Sequence, residues 1–325
     1  MSQMPTAAVI DGRDAGVPGA AGAPGVPGAP RRRPGSRLKL RNALIGWTFI
    51  LPNFIGFAVL TLVPVIVLMY LGFTKWNAFG AATFVGTDNF QRLVSDKTFH
   101  TALFNTAYYA VFHIPLTLAV SLGLAMLLNR KIRGMAFFRT VAFFPYITSI
   151  VAIAVVWNML FSPEAGVINQ FLMAIGIDNP PGWTNSTDWS MPAVIIVGTW
   201  RDMGYYMLLF LAGLQAIPAE LYEAARMDGA NAVQRFWNVT IPCLRATTFF
   251  VTVMLTINSF KVFDLILVMT NGGPGTSTLV LSQYIWRKGF EENDFGYASA
   301  VAVVLFAICL LVTVVQFLVN KRRER

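Results

Sequence analysis

The chain has 325 residues, of which 55% are hydrophobic and only 13% charged, about half the charged share of an ordinary soluble domain. A soluble globular protein is therefore a poor reading from the outset. The net charge of +9 would point to nucleic acid in a soluble chain, but here its placement follows a membrane topology.

Residues 1–36 are rich in Gly, Pro and Ala and contain no apolar run, so they are neither a signal peptide nor a helix. Glycine recurs every third residue from Gly16 to Gly28, the collagen period, but five triplets are too few for a triple helix. Residues 1–40 are read as a disordered low-complexity tail. Its basic end, Arg31, Arg32, Arg33, Arg37, Lys39 and Arg41, meets the first apolar stretch, where it can contact anionic headgroups.

Residues 41–325 are read as one membrane domain. Spanning a bilayer takes about 20 apolar residues per helix, and 42–74, 98–129, 140–163 and 295–320 contain no Asp, Glu, Lys or Arg. With two further apolar stretches that carry internal charges, six spans are expected, near 43–71, 106–129, 141–161, 191–215, 246–269 and 297–320. Of the 25 basic residues, 18 fall in the tail, in the links 130–139 and 218–245, or after residue 320. The excess of positive charge marks the cytoplasmic side, so both termini are expected to be cytoplasmic. Trp183, Trp189 and Trp286, in the opposite loops, are read as headgroup anchors.

Two cysteines far apart, Cys243 and Cys309, give no disulfide framework, and two histidines, His100 and His113, are too few for a metal site without help. No metal site is expected, and both histidines are read as structural. The glycine-rich run from Asn271 to Gly275 is not a nucleotide-binding loop, since Gly-x-x-x-x-Gly-Lys-Ser/Thr occurs nowhere in the chain. No catalytic residue is expected.

The link 217–242 is the most informative stretch. Pro218 suits a helix's first turn, Glu220 and Glu223 complement its dipole, and Ala224 and Ala225 favour helix. Gly229 interrupts it, a second short helix follows over 231–237, and Pro242 marks the return to the membrane. Two readings fit such an elbow: a docking knob for a partner protein, or a loop helix lying on the membrane.

The spacing Glu223-Ala224-Ala225, three residues, Gly229, nine residues, then Val239-Thr240-Ile241-Pro242 resembles the Glu-Ala-Ala loop of permease subunits of binding-protein-dependent ABC importers. The resemblance continues through 260–264, 270–275 and 294–298, covers about 40–320, and is closest to the carbohydrate branch of that family. It implies an all-α polytopic membrane protein with six transmembrane helices, the type I ABC importer transmembrane domain. It also implies a place in the inner membrane of a prokaryote and a role in moving a sugar or oligosaccharide. Glu223, Ala224, Ala225, Asp228 and Gly229 would couple this chain to a cytoplasmic ATPase dimer. ATP and Mg would be used by that partner, and this chain would bind no cofactor. A second, homologous permease and an extracytoplasmic sugar-binding protein would complete the system.

Charges inside spans are costly unless they face a protein interior or a water-filled path. Gly198, Arg201, Asp202 and Tyr205 have the i, i+3, i+4, i+7 spacing of one helical stripe. A small residue, two charges and an aromatic suit a sugar, and the family places its translocation cavity against the middle of this span and the next. Asn258, Ser259 and Lys261 form the expected second wall. Arg201 and Asp202 can equally serve as glue to a partner permease, and Lys261 can pair with Asp264 on one helical face. A proton- or sodium-coupled secondary transporter is the competing function, with Asp202, Lys261 and Asp264 as a relay. It has no use for the elbow. A membrane enzyme would have to rest on Glu223 and Asp228, which the elbow explains better.

Overall fold

A computed structural model describes residues 36–130 and 133–323. The tail expected over 1–40 thus falls almost wholly outside the described residues. Among the described residues, those up to Ala58 belong to one unit and those from Val59 onward to a second. The first holds α1 (Ser36–Phe57), with Pro52 inside it.

A π-helical turn over Ala58–Leu62 is followed by α2 (Val63–Leu71). Pro64 stands in the first turn of α2, directly after the π-helical turn, where the wider helix takes up the hydrogen bond that a proline cannot donate. A short antiparallel hairpin follows, β1 (Thr74–Lys75) with β2 (Thr83–Phe84), and then α3 (Asp88–Ser95). Next comes α4 (Lys97–Leu128), whose first turn is capped by the Asp96 carboxylate, accepting from the amides of Thr98 (2.9 Å) and Phe99 (3.2 Å). The second span therefore starts nine residues before its expected boundary. The extra turns are held because Phe99 and Ala102 pack with Leu279, Tyr284 and Tyr297.

The third span is not one rod. It is α5 (Met135–Ile147) and α6 (Ile150–Leu160), bent by 97°. Pro145 cannot donate to the helical ladder, and Thr148 turns extended at ψ 149°, so the helix stops and restarts. α7 (Val167–Ala174) lies in the following loop. There Trp183 is buried, stacks on Phe161 at 4.6 Å, and donates to Asn169 Oδ1 at 2.6 Å. Trp183 is thus part of a protein core and not a headgroup anchor.

α8 (Ser190–Gln215) is the central span, with 56% of its apolar window buried against 22% for α4. It packs on α4 and α5. In a membrane this packing rests on close approach and hydrogen bonding, since lipid is as apolar as leucine. Gly204 supplies the approach: a Cβ there would overlap the Ala142 carbonyl oxygen of α5. The elbow comprises α9 (Ala219–Met227), α10 (Ala232–Arg235), a π-helical turn over Phe236–Thr240 and α11 (Ile241–Cys243).

The fifth span is also interrupted. α12 (Arg245–Phe260) ends before Lys261, and α13 (Asp264–Met269) starts after Phe263 at φ −143°, ψ −64°. Lys261 and Asp264 therefore do not share a helical face, and among the described residues no ion pair joins them. α14 (Leu281–Trp286), a π-helical turn and α15 (Phe295–Arg323) complete the chain. Four helical stretches, Ile45–Leu71, Lys97–Leu128, Ser190–Gln215 and Phe295–Arg322, are long and apolar enough to cross a membrane, and six are if Met135–Ile147 with Ile150–Leu160 and Ala232–Cys243 with Arg245–Phe260, the latter bent by 68°, each count as one span.

Candidate functional site

Along α8 the apolar core divides in two. Ala193, Val194, Ile195 and Val197 belong to one cluster with Tyr109, Ile153 and Ile266, and Tyr206, Met207, Phe210, Leu211 and Leu214 belong to another with Ala125, Leu244 and Leu255. Between them lies a polar band, and a cavity of about 270 Å³ opens against it. The wall from α8 is Gly198, Arg201, Asp202 and Tyr206, and the facing wall is Asn258, Ser259, Lys261 and Asp264. Tyr109 and His113 of α4 and Tyr146 of α5 complete the polar lining.

The charges in it are balanced and partly paired. Arg201 Nη1 donates to Asp202 Oδ1 at 2.9 Å, and the guanidinium stands 5.4 Å over the Tyr146 ring. His113, 1% exposed, joins three helices. Its Nδ1 lies 3.1 Å from Ser259 Oγ on α12, and its Nε2 lies 3.6 Å from Asp202 Oδ2 on α8 without a hydrogen bond of its own. Its ring stacks on Tyr109 at 4.8 Å. Asn258 donates its amide to the Tyr206 hydroxyl at 3.0 Å. Gly198 leaves room for this arrangement, since a Cβ there would stand 2.6 Å from the Tyr109 hydroxyl. Arg201 Nε is buried without a partner. Unmade bonds to buried polar atoms cost on the order of 1–3 kcal/mol each, so His113 Nε2 and Arg201 Nε leave polar bonding capacity beside the cavity.

The structure gathers Gly198, Arg201, Asp202, Asn258, Ser259 and Lys261 around this one cavity. Tyr205 is placed otherwise: it stands behind the wall, stacked on Tyr146 at 4.5 Å, and Tyr206 takes the lining position. The sequence reading missed Tyr109, His113, Tyr146, Tyr206 and Asp264 as lining residues. A signal for the first two was present. Asn105, Tyr109, His113, Thr117 and Ser121 recur every four residues through an otherwise apolar span, and all five are buried. A larger cleft of about 880 Å³ lies between α4, α12 and α15, but it is lined mainly by apolar groups such as Leu118, Leu122 and Phe249. It offers a hydroxyl-rich solute little to bind.

The elbow is the second feature. α9 ends at Met227 with Asp228 as its C-cap, and Gly229 takes φ +75°, the left-handed conformation that closes a helix and that glycine adopts without strain. The Ala230 amide then reaches back to the Ala225 carbonyl at 2.9 Å. Asn231 and Gln234 form a reciprocal capping box that starts α10, and the Tyr222 hydroxyl bonds Thr240 at 3.0 Å, tying the two limbs together. Glu223, Ala224, Asp228 and Gly229 are exposed, and Ala225 is half-buried. Large apolar side chains are exposed with them, Met227 at 89%, Val233 at 65% and Trp237 at 62%. Apolar groups left uncovered on a polar elbow suit a partner protein or the membrane face.

Among the described residues no group of three or more His, Cys, Asp or Glu side chains is placed to hold a metal ion.

Residues 116–325 match the family described as "Binding-protein-dependent transport system inner membrane component". The chain is 35% identical over 280 residues to the probable ABC transporter permease protein YurN of Bacillus subtilis, covering 85% of this chain and 96% of that protein. It is 36% identical over 294 residues to the lactose transport system permease protein LacF of Rhizobium radiobacter, covering 89% of this chain and 98% of that protein. Its fold is similar to that of a chain in the crystal structure of a bacterial ABC transporter involved in import of the acidic polysaccharide alginate. The TM-score is 0.77 at 24% identity, covering 89% of this chain and all of that one.

Proposed function

The chain belongs to the family of binding-protein-dependent transport system inner membrane components, and we propose that it is the permease subunit of an ATP-driven importer that forms part of the path for a sugar or oligosaccharide. It is a multi-pass membrane protein and a transport subunit, with ATP hydrolysis carried out by a separate ATPase. In this reading ATP and Mg are bound by that ATPase, a second related permease forms the other half of the path, and an external binding protein delivers the solute. Both termini and the elbow face the cytoplasm. Residues 41–325 are the permease domain.

The observation that carries the reading is the elbow: a bent, internally bonded pair of short helices with Met227 and Trp237 uncovered. An ion-coupled carrier has no partner to put there. Closure of the ATPase dimer would push on α9 and α10, and the force would pass through Pro242 into α12, whose far end carries Asn258 and Ser259 of the cavity wall. Asp202, Arg201 and Lys261 then supply acceptor and donors to sugar hydroxyls, with Gly198 keeping the wall open and Tyr205 holding Tyr146 in place from behind. Names of relatives support the substrate class: LacF is a lactose transport permease, and NgcF of Streptomyces coelicolor, 35% identical over 278 residues, is a diacetylchitobiose uptake permease.

The test is on the elbow. Glu223→Lys and Gly229→Asp should leave the chain in the membrane at normal abundance while solute uptake by the reconstituted transporter is lost. Normal uptake by both variants would remove the coupling role.

A further inference from the structure

The β1–β2 hairpin takes no part in the cavity or the elbow, yet it is fastened to the fold. Asn89 donates its amide to the carbonyls of Gly72 (3.0 Å) and Thr74 (2.9 Å). The Gly296 amide, in the first turn of α15, donates to the Trp76 carbonyl at 3.1 Å, and a Cβ on Gly296 would overlap the Thr74 carbonyl. The Trp76 ring packs on Phe295 at 5.6 Å, and its indole N–H donates to the Gly80 carbonyl at 3.1 Å. The hairpin therefore sits where two apolar membrane helices, α2 and α15, both end.

Strand periodicity gives it two unlike faces. Thr74 stands directly opposite Phe84 and Lys75 opposite Thr83, and directly opposed residues project from the same face. The Thr74 face is turned onto the end of α15, since Thr74 is fully buried there. Phe84 projects from that face but beyond the edge of the fold, and it is 69% exposed. Phe79 at the tip is 76% exposed. Lys75 and Thr83 project from the other face. From Trp76 to Thr87 the chain carries no charged residue.

What covers these aromatics follows from their position. The exposed side of α2, with Ile66, Val67 and Tyr70, is an apolar surface that the bilayer must cover. The hairpin continues that surface at the helix end, which is the depth of the headgroups. Phe84 and Lys75 leave the hairpin on opposite faces, so an aromatic side chain can meet hydrocarbon while the lysine meets water. Aromatic side chains are enriched at that depth, and uncharged backbone with apolar side chains lies in the interface plane. We propose that the β1–β2 hairpin is an interfacial anchor, with Phe79 and Phe84 inserted at the boundary between headgroups and acyl chains of the leaflet that meets the ends of α2 and α15.

This goes beyond the importer reading and depends only on the chain being a membrane protein. The complete transporter is reconstituted in phosphatidylcholine–phosphatidylglycerol vesicles with Cys243 and Cys309 replaced by serine. A nitroxide is attached in turn to Phe79→Cys, Phe84→Cys and Lys75→Cys, all exposed positions whose replacement removes no core contact. Collisions with oxygen, which concentrates in lipid, are compared with collisions with a water-soluble nickel chelate. The anchor predicts that labels at 79 and 84 meet oxygen more often than nickel, and that the label at 75 does the reverse. Labels at 79 and 84 that favour nickel would place the tip in water and overturn the proposal. Labels there that are immobile and shielded from both reagents would overturn it in favour of a partner chain covering the patch.

Discussion

Gly204→Ala should destabilise the fold through a single methyl group. An ideal Cβ at Gly204 would stand 2.7 Å from the Ala142 carbonyl carbon and 2.7 Å from Phe143 Cα, and nearer still to the Ala142 carbonyl oxygen. Non-bonded heavy atoms rest at about 3.5–4.0 Å, so α5 and α8 would have to separate by roughly 1 Å. All three obstructing atoms are backbone, which cannot swing aside. Overpacking of this kind costs about 1–3 kcal/mol, set against at most about 1 kcal/mol gained from the better helix propensity of alanine. Gly123→Ala in α4 is the matched control, because nothing lies within 4 Å of its Cβ position. With roughly 2–4 °C per kcal/mol for a chain above 150 residues, thermal unfolding of the purified complex in detergent should fall by a few degrees for Gly204→Ala and hold or rise for Gly123→Ala. The separation would also part Tyr146 from Tyr205 and from Arg201, so uptake should fall with stability. Equal unfolding temperatures for the two variants would refute the close-packing argument.

Asp202→Asn and Arg201→Ala each remove a charge-assisted hydrogen bond worth about 1.5–3 kcal/mol, so uptake should drop roughly tenfold or more while the amount of assembled complex stays unchanged; normal uptake by both would separate the cavity from transport. Asp96 gives a pH dependence. Burial acts to raise its pKa, but hydrogen bonds from the Tyr284 and Tyr297 hydroxyls and from the Phe99 and Thr98 amides outweigh it, and the carboxyl is held below its ordinary value. A lowered folded-state pKa contributes stability that is present above the unfolded value of about 3.9 and is lost as pH falls through the folded value. Arg92 faces the same cluster, stacked 4.0 Å over the Tyr297 ring and paired with Asp294, and Lys288 lies 5.3 Å from the Tyr284 ring. Unfolding temperature should therefore decline between pH 5 and pH 3 in the parent chain, and Asp96→Asn should start lower at neutral pH and lose most of that decline.

Four of the spans were legible because each is a long run without charge, and the elbow was legible because Gly229, Pro218 and Pro242 act through backbone geometry alone. The breaks within spans three and five were not. Pro145 announces a kink but not whether the chain bends by a few degrees or by 97°, since that depends on what neighbouring helices accept. The early start of α4 was hidden because its polar first turns look like loop until Phe99 and Ala102 are seen packing on α14 and α15. Arg201 and Asp202 could be assigned to one stripe from spacing, but helix rotation at the end of such a stripe is uncertain by one position, which is how Tyr206 and not Tyr205 comes to line the wall. His113 looked structural because one histidine in an apolar span has no partner in sequence; Asp202 and Ser259 reach it only through the packing of α4 with α8 and α12.

The central claim is that ATP hydrolysis by a partner docked on the elbow drives solute through the cavity. Uptake into proteoliposomes holding the complete transporter, with the binding protein outside and ATP inside, tests it most directly. The account predicts uptake that requires both ATP and the binding protein and persists when a protonophore and a sodium ionophore collapse the ion gradients. Uptake that proceeds without ATP and vanishes with the ionophores would contradict it.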